Sequence, residues 1–182
     1  MKMKKIISIF VVFVIFSFCS SGPEASIDIF EAAKTGNVDE INLHIEGGSN
    51  LNERAELNSD TPLIFATMYG QNEVVELLSQ QESVNLDSQN ILGFTALCVA
   101  TVWGQIEIIE TLLAAGADKD IKCFGDENNS GPKVGTALMA AQTSVNPSIE
   151  KQYIDAAEQY GLEFDLDKII EGRAKAAEAL QK

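Results

Sequence analysis

An all-α solenoid of about four helix–turn–helix units is what this sequence predicts, on three observations. Gly36, Gly70 and Gly104 recur every 34 residues, a period in the range of stacked repeats. Ala32, Ala66 and Ala100 stand four residues before them, and Thr61 and Thr95, again 34 apart, open the segments that end at Gly70 and Gly104. Behind each glycine runs a second apolar segment, at 38–43, 74–78 and 108–113.

Each element follows from its residues. Thr61 and Thr95 suit a helix start, where a side-chain oxygen accepts orphan backbone N–H groups. The alanines let one short helix approach the next closely. The glycines end that helix where the backbone turns left-handed, a conformation costly for other residues. Leu63, Leu97 and Leu138 are expected to point inward. No unit can bury its apolar faces alone, so stability must come from neighbours stacking through hairpin-like loops.

The ends of the array depart from the pattern. Thr136-Ala137-Leu138-Met139-Ala140-Ala141 restarts it, but 41 residues after Thr95. The excess of seven falls within 123–135, a stretch rich in Gly, Asn, Asp and Pro that reads as an exposed loop. The second helix of this fourth copy is expected at 147–160, before Gly161. Two good copies are thus flanked by two capping ones. Beyond them, 162–182 carries Leu166, Ile169, Ile170, Ala174, Ala177 and Leu180 at helical spacing. It is expected to be a C-terminal capping helix, opened by Asp165 or Asp167 and covering the last apolar face.

Thr61-Pro62-Leu63-Ile64-Phe65-Ala66, followed by Gly70 and by Val74-Val75-Glu76-Leu77-Leu78, resembles the ankyrin repeat. So does Gly93-Phe94-Thr95-Ala96-Leu97-Cys98-Val99-Ala100 with Gly104, Ile108-Ile109 and Gly116-Ala117-Asp118. The resemblance covers residues 26–161. It departs from the family where a histidine usually follows Thr-Pro-Leu, since Ile64, Cys98 and Met139 stand there, and where Ala96 and Ala137 replace the proline. The resemblance implies a non-enzymatic protein-binding scaffold, whose loop tips and first-helix ends line a concave groove. Carried over by position, that groove takes in Leu57, Asn58, Asp60, Met68 and Tyr69, then Ile91, Leu92, Phe94, Val102 and Trp103, then Val134, Thr143 and Ser144. Its middle is apolar and aromatic and its flanks are polar or acidic, the usual anatomy of a protein interface.

Residues 1–21 are expected to lie outside the fold. Met1-Lys2-Met3-Lys4-Lys5 is a basic start, and 6–18 is an apolar run too short for a comfortable membrane span and suited to a signal peptide. Cys19, followed by Ser20-Ser21-Gly22-Pro23 as a tether, resembles a bacterial lipoprotein signal in which the cysteine is lipidated, although Phe18 stands where a small residue is expected. The rival is an ordinary signal-peptidase cut after Ser21. Without residues 1–18, which hold Lys2, Lys4 and Lys5 and no acid, the net charge moves from −14 to −17. Such a surface repels nucleic acid and anionic headgroups. It suits a basic protein partner, or solubility alone. A lipid anchor would be the chain's only membrane contact.

Catalytic signatures are not found. His44 is the one histidine, placed where the family has an apolar second-helix residue, and it reads as structural. One imidazole builds neither a triad nor a metal site. The acids scatter along helix faces, and no glycine-rich loop follows a strand. No cofactor is expected. Cys98 and Cys123 stand a repeat apart and would meet an oxidising compartment after export. Two buried or free thiols are favoured over a bridge. The functional expectation is an exported protein-interaction module of the bacterial cell envelope, periplasmic or lipid-anchored. The alternatives are an immunity or inhibitor protein against a basic toxin or enzyme, and a structural envelope lipoprotein.

Overall fold

The computed structural model describes residues 24–123 and 135–182. Residues 1–23 with Cys19, and the insertion with Val134, lie outside the described residues. Nine helices occur among the described ones: α1 (Ile29–Thr35), α2 (Val38–Glu46), α3 (Pro62–Met68), α4 (Asn72–Ser79), α5 (Ala96–Val102), α6 (Ile106–Ala115), α7 (Ala137–Gln142), α8 (Pro147–Tyr160) and α9 (Leu166–Leu180). None of them is long and apolar enough to cross a membrane.

The threonines start the inner helices as their position requires. The hydroxyls of Thr61, Thr95 and Thr136 accept the N–H of the residue three further on, Ile64, Cys98 and Met139. In the first copy Asp28 takes this place, and its carboxylate accepts from the N–H groups of Phe30 and Glu31. The ends follow as well: Gly36, Gly70 and Gly104 have φ of 72°, 68° and 66°. Inner helices α1, α3, α5 and α7 pack side by side. Their alanines vanish from solvent, as do Leu63 and Leu97. Leu138 is half-buried against the same core.

Hydrogen bonds reach from each copy to the next at both ends of the unit. On the loop side the Arg54 guanidinium donates to the Gln89 carbonyl at 2.7 Å, and the Gln89 amide donates to the Lys122 carbonyl at 2.7 Å. The Asn52 side chain accepts from the Asn85 N–H, and Asp87 accepts from the Asp118 N–H. On the turn side the Gln71 amide reaches backward to the Lys34 carbonyl at 2.8 Å. These spacings track the repeat and fix its register. His44 is structural here too. Its Nε2 donates to the Ile27 carbonyl at 2.9 Å, and Nδ1 pairs with the Ser49 hydroxyl at 3.0 Å.

Cys98 and Cys123 form a disulfide, with Cα atoms 5.6 Å apart. This corrects the expectation of two thiols. Stacking brings the inner helix α5 against the end of the third loop, and both sulfurs enter the core. Beside the bridge, Cys123 donates its N–H to the Gly135 carbonyl and Lys122 pairs with Thr136. The neck of the seven-residue excess is therefore closed.

The largest departure from expectation is at the fourth copy. The helix packed on α7, and next to α6 in the outer row, is α9 and not α8. Its buried face also differs. Ile169, Gly172, Arg173, Ala176 and Leu180 are buried, while Ile170 and Ala174 face solvent. Two glycines explain the docking. A Cβ on Gly172 would lie 1.9 Å from the Gly104 carbonyl oxygen, and one on Gly104 would lie 2.6 Å from the Ile169 carbonyl oxygen. The backbones of α9 and the α5–α6 turn touch directly, which only two facing glycines allow. Gly172→Ala is a sharp test. Helix propensity alone favours alanine by about 1 kcal/mol. The clash should reverse that sign and cost about 2 kcal/mol or more net, as overpacking does. A chemical denaturation curve of the variant decides it.

Candidate functional site

The residues carried over to the groove separate into two surfaces. Leu57, Ile91 and Leu92 stand at loop tips, 93, 64 and 59 % exposed. Met68, Tyr69, Val102 and Trp103 are half-buried at the ends of α3 and α5, and Phe94 is half-buried against the core. Asn58 is half-buried and Asp60 buried, while Thr143 and Ser144 are exposed at the end of α7.

The tips are held from below. The Ile91 N–H donates to the Asn58 carbonyl at 3.0 Å, which joins the second tip to the third. The Asp60 carboxylate accepts from the side-chain amides of both Asn58 and Asn90. The Asn90 oxygen in turn accepts the N–H groups of Leu92 and Phe94, each at 3.0 Å. Burial raises the Asp60 carboxyl above its ordinary value, and the Asn90 amide partly offsets this. A buried carboxylate with two amide partners thus fixes the loops that carry three bare apolar side chains. Position alone suggested Asn58 and Asp60. Asn90 was missed, although it lies one residue before Ile91 in the same polar-then-apolar loop.

The second surface, at the inner-helix ends, is covered by the chain itself. α8 leaves the end of α7 and crosses it. Its Tyr153 hydroxyl donates to the Val102 carbonyl at 2.9 Å, and the ring lies 5.5 Å from that of Trp103. Seven residues on, Tyr160 stands beside Asn58, Asp60 and Tyr69. Burial raises its pKa, the charge of Asp60 and the neighbouring Tyr69 add to this, and a hydrogen bond from Asn58 works against it. Phe30, Phe65 and Tyr69 extend the aromatic row, with centroids 5.4 and 6.3 Å apart, and Lys34 lies over Tyr69. Between the ends of α3 and α5 and the α8–α9 link is a cleft of about 640 Å³, whose walls include Met68, Tyr69, Trp103, Leu162 and Lys168.

Arg173 locks this arrangement, and sequence reading missed it. Its guanidinium is buried and donates to the Tyr153 hydroxyl, to the Ala140 carbonyl and, at 2.6 Å, to the Thr143 carbonyl. A cation at the carbonyl end of α7 is well placed against the helix dipole. The available signal was a basic residue inside the apolar stripe from Ile169 to Leu180.

Tyr153 carries a pH dependence. Burial raises its pKa above the ordinary tyrosine value, and the charge and hydrogen bond of Arg173 offset this only in part. The folded chain therefore keeps this proton where the unfolded chain loses it. The contribution of Tyr153 to stability is full below about pH 10 and falls as pH rises above it. Tyr153→Phe should flatten the loss of stability above pH 10, measured as melting temperature against pH. An unchanged alkaline slope would show that this hydroxyl is not protected.

A stacked array of helix pairs with fixed loop tips defines a solenoid that presents surfaces; among the described residues no cluster of His, Cys, Asp or Glu could hold a metal ion. The profile described as "Ankyrin repeats (3 copies)" matches residues 29–123, and the chain belongs to the ankyrin repeat family. It is also similar to alpha-latrocrustotoxin-Lt1a of Latrodectus tredecimguttatus, 30 % identical over 105 residues, which are 58 % of this chain. They are only 7 % of that toxin, so the chain spans a small part of the length of this relative. Ankyrin repeats are generally protein-interaction modules and generally not enzymes.

Proposed function

We propose that the chain is a non-enzymatic protein-binding module exported to a bacterial cell envelope, which takes its partner on the loop tips beside the concave groove. The observation that carries this reading is the tip patch. Leu57, Ile91 and Leu92 are exposed on two adjacent loops that the side chains of Asn58, Asp60 and Asn90 hold together. Rigid apolar side chains left in water mark interaction surfaces, because little ordering entropy is spent on binding. The disulfide supports export, since such bonds persist in oxidising compartments, and the basic, apolar start supports the route.

The charge favours a second reading, an inhibitor that neutralises a basic toxin or enzyme. The 27 acidic side chains face 13 basic ones, three of them in the signal segment, and such an excess speeds encounter with a cationic partner. The relative's toxin activity is not carried over.

One experiment tests the binding surface. The mature chain and its Leu57→Ser/Ile91→Ser/Leu92→Ser variant are used as baits on envelope extracts. A protein retained by the parent and lost with the variant is the expected result. Equal retention by both baits overturns the tip surface, and loss of binding in moderate salt distinguishes a basic partner from an apolar one.

A further inference from the structure

α8 is built like a bound ligand and not like a member of the stack. Tyr153 and Ala157 are buried, Tyr160 is half-buried, and these three lie along one stripe of the helix. Gln152, Asp155, Glu158 and Gln159 on other faces are exposed. Fourteen residues at 1.5 Å each span about 21 Å, enough to cross two stacked repeats. Short links flank it: 143–146 precede it, and Gly161, at φ 65°, opens the link 161–165 to α9. If α8 lifts, Arg173 keeps the carbonyls of Ala140 and Thr143, so α7 and α9 stay clamped.

We propose that α8 is a resident occupant of a helix-binding groove lined by Tyr69, Val102 and Trp103. The partner this groove takes is an amphipathic helix bearing two aromatic residues seven apart with a small residue between them. The internal occupant specifies that chemistry. The first aromatic ring meets Trp103 and its hydroxyl reaches the Val102 carbonyl. The small residue, Ala157, is the buried position between the two rings. The second ring reaches the second copy beside Asn58. Such a helix competes with α8 and gains by whatever fraction of time α8 is lifted. This groove rests on the protein-binding reading but not on the loop tips, so either surface can fail alone.

The test uses a fluorescein-labelled peptide of residues 145–162 and the full mature chain. Ala157→Glu in the chain puts a charge under α8 and should eject it while leaving α1–α7 and α9 packed. Fluorescence anisotropy should show the peptide binding this variant at least about tenfold more tightly than the parent. A peptide carrying the same Ala157→Glu change should bind neither. A folded variant, with helical circular dichroism and an intact disulfide, that does not bind the peptide overturns the proposal. So does equal affinity for parent and variant. If the variant does not fold, hydrogen exchange on the parent decides. The α8 amides should exchange at least about tenfold faster than those of α5 and α9, the mark of local opening. Equal protection overturns the proposal.

Discussion

Arg173→Leu should destabilise the chain by several kcal/mol, the scale of leaving buried acceptors without a charged donor. The leucine fills similar volume but leaves the carbonyls of Ala140 and Thr143 and the Tyr153 hydroxyl without their donor. Hydrogen bonds to charged groups are worth about 1.5–3 kcal/mol each, and unsatisfied buried acceptors add their own cost. Against a typical total stability of about 5–15 kcal/mol, a loss on this scale threatens the fourth copy as a unit. Urea denaturation followed by circular dichroism measures it. Arg173→Lys discriminates charge from geometry. One ammonium cannot reach three acceptors spread over α7 and α8, so lysine should recover less than half of the loss. A leucine variant as stable as the parent would show that α9 docks by its apolar residues alone.

Removing the disulfide has the second largest expected effect. Cys98→Ala/Cys123→Ala deletes a bridge closing a loop 25 residues long. Chain-entropy arguments put its contribution at about 3.5 kcal/mol at 25 °C. Double alanine avoids a buried unpaired thiol and adds no polar group to a site where both cysteines are at most 1 % exposed. The expected result is a melting temperature lowered by several degrees, matched by adding a reductant to the parent. The loss should concentrate in the third and fourth copies, because the bridge ties α5 to the end of the third loop at Cys123. A variant that melts with the parent would mean that stacking alone fixes that loop.

How far the sequence could be read depends on what each feature is made of. Period and caps are local. A threonine three residues before an amide it accepts, or a glycine at positive φ, leaves a signature within one turn, so α1, α3, α5 and α7 were legible. So was His44, alone on its helix. The exchange of α8 for α9 was not. Both stretches are amphipathic, and the nearer one is the default partner for α7. What decides is a pair of glycines 68 residues apart, Gly104 and Gly172, whose contact exists only after stacking. The stripe on α9 was read from its aliphatic residues and so pointed to Ile170 and Ala174. Arg173 belongs to the buried face because three acceptors converge on it, and convergence of distant groups has no local pattern. The candidate surface divides in the same way. Exposed tips follow from position in the repeat, whereas the covering of Trp103 and Tyr69 follows from a tertiary choice.

The hydrogen bonds between copies set where this chain can change length. Loop-side bonds run from Arg54 to Gln89 and from Gln89 to Lys122, while the turn-side bond runs back from Gln71 to Lys34. Adding or deleting a residue inside that span would shift one row of donors against the other. Duplicating a whole 34-residue unit would preserve both. The seven extra residues lie after Lys122, the last acceptor of the loop-side row, and before Thr136, where the next helix begins. The extra length is thus inserted at a junction whose neck is closed by the Cys123–Gly135 and Lys122–Thr136 pairing, so α7 still falls into the row beside α5.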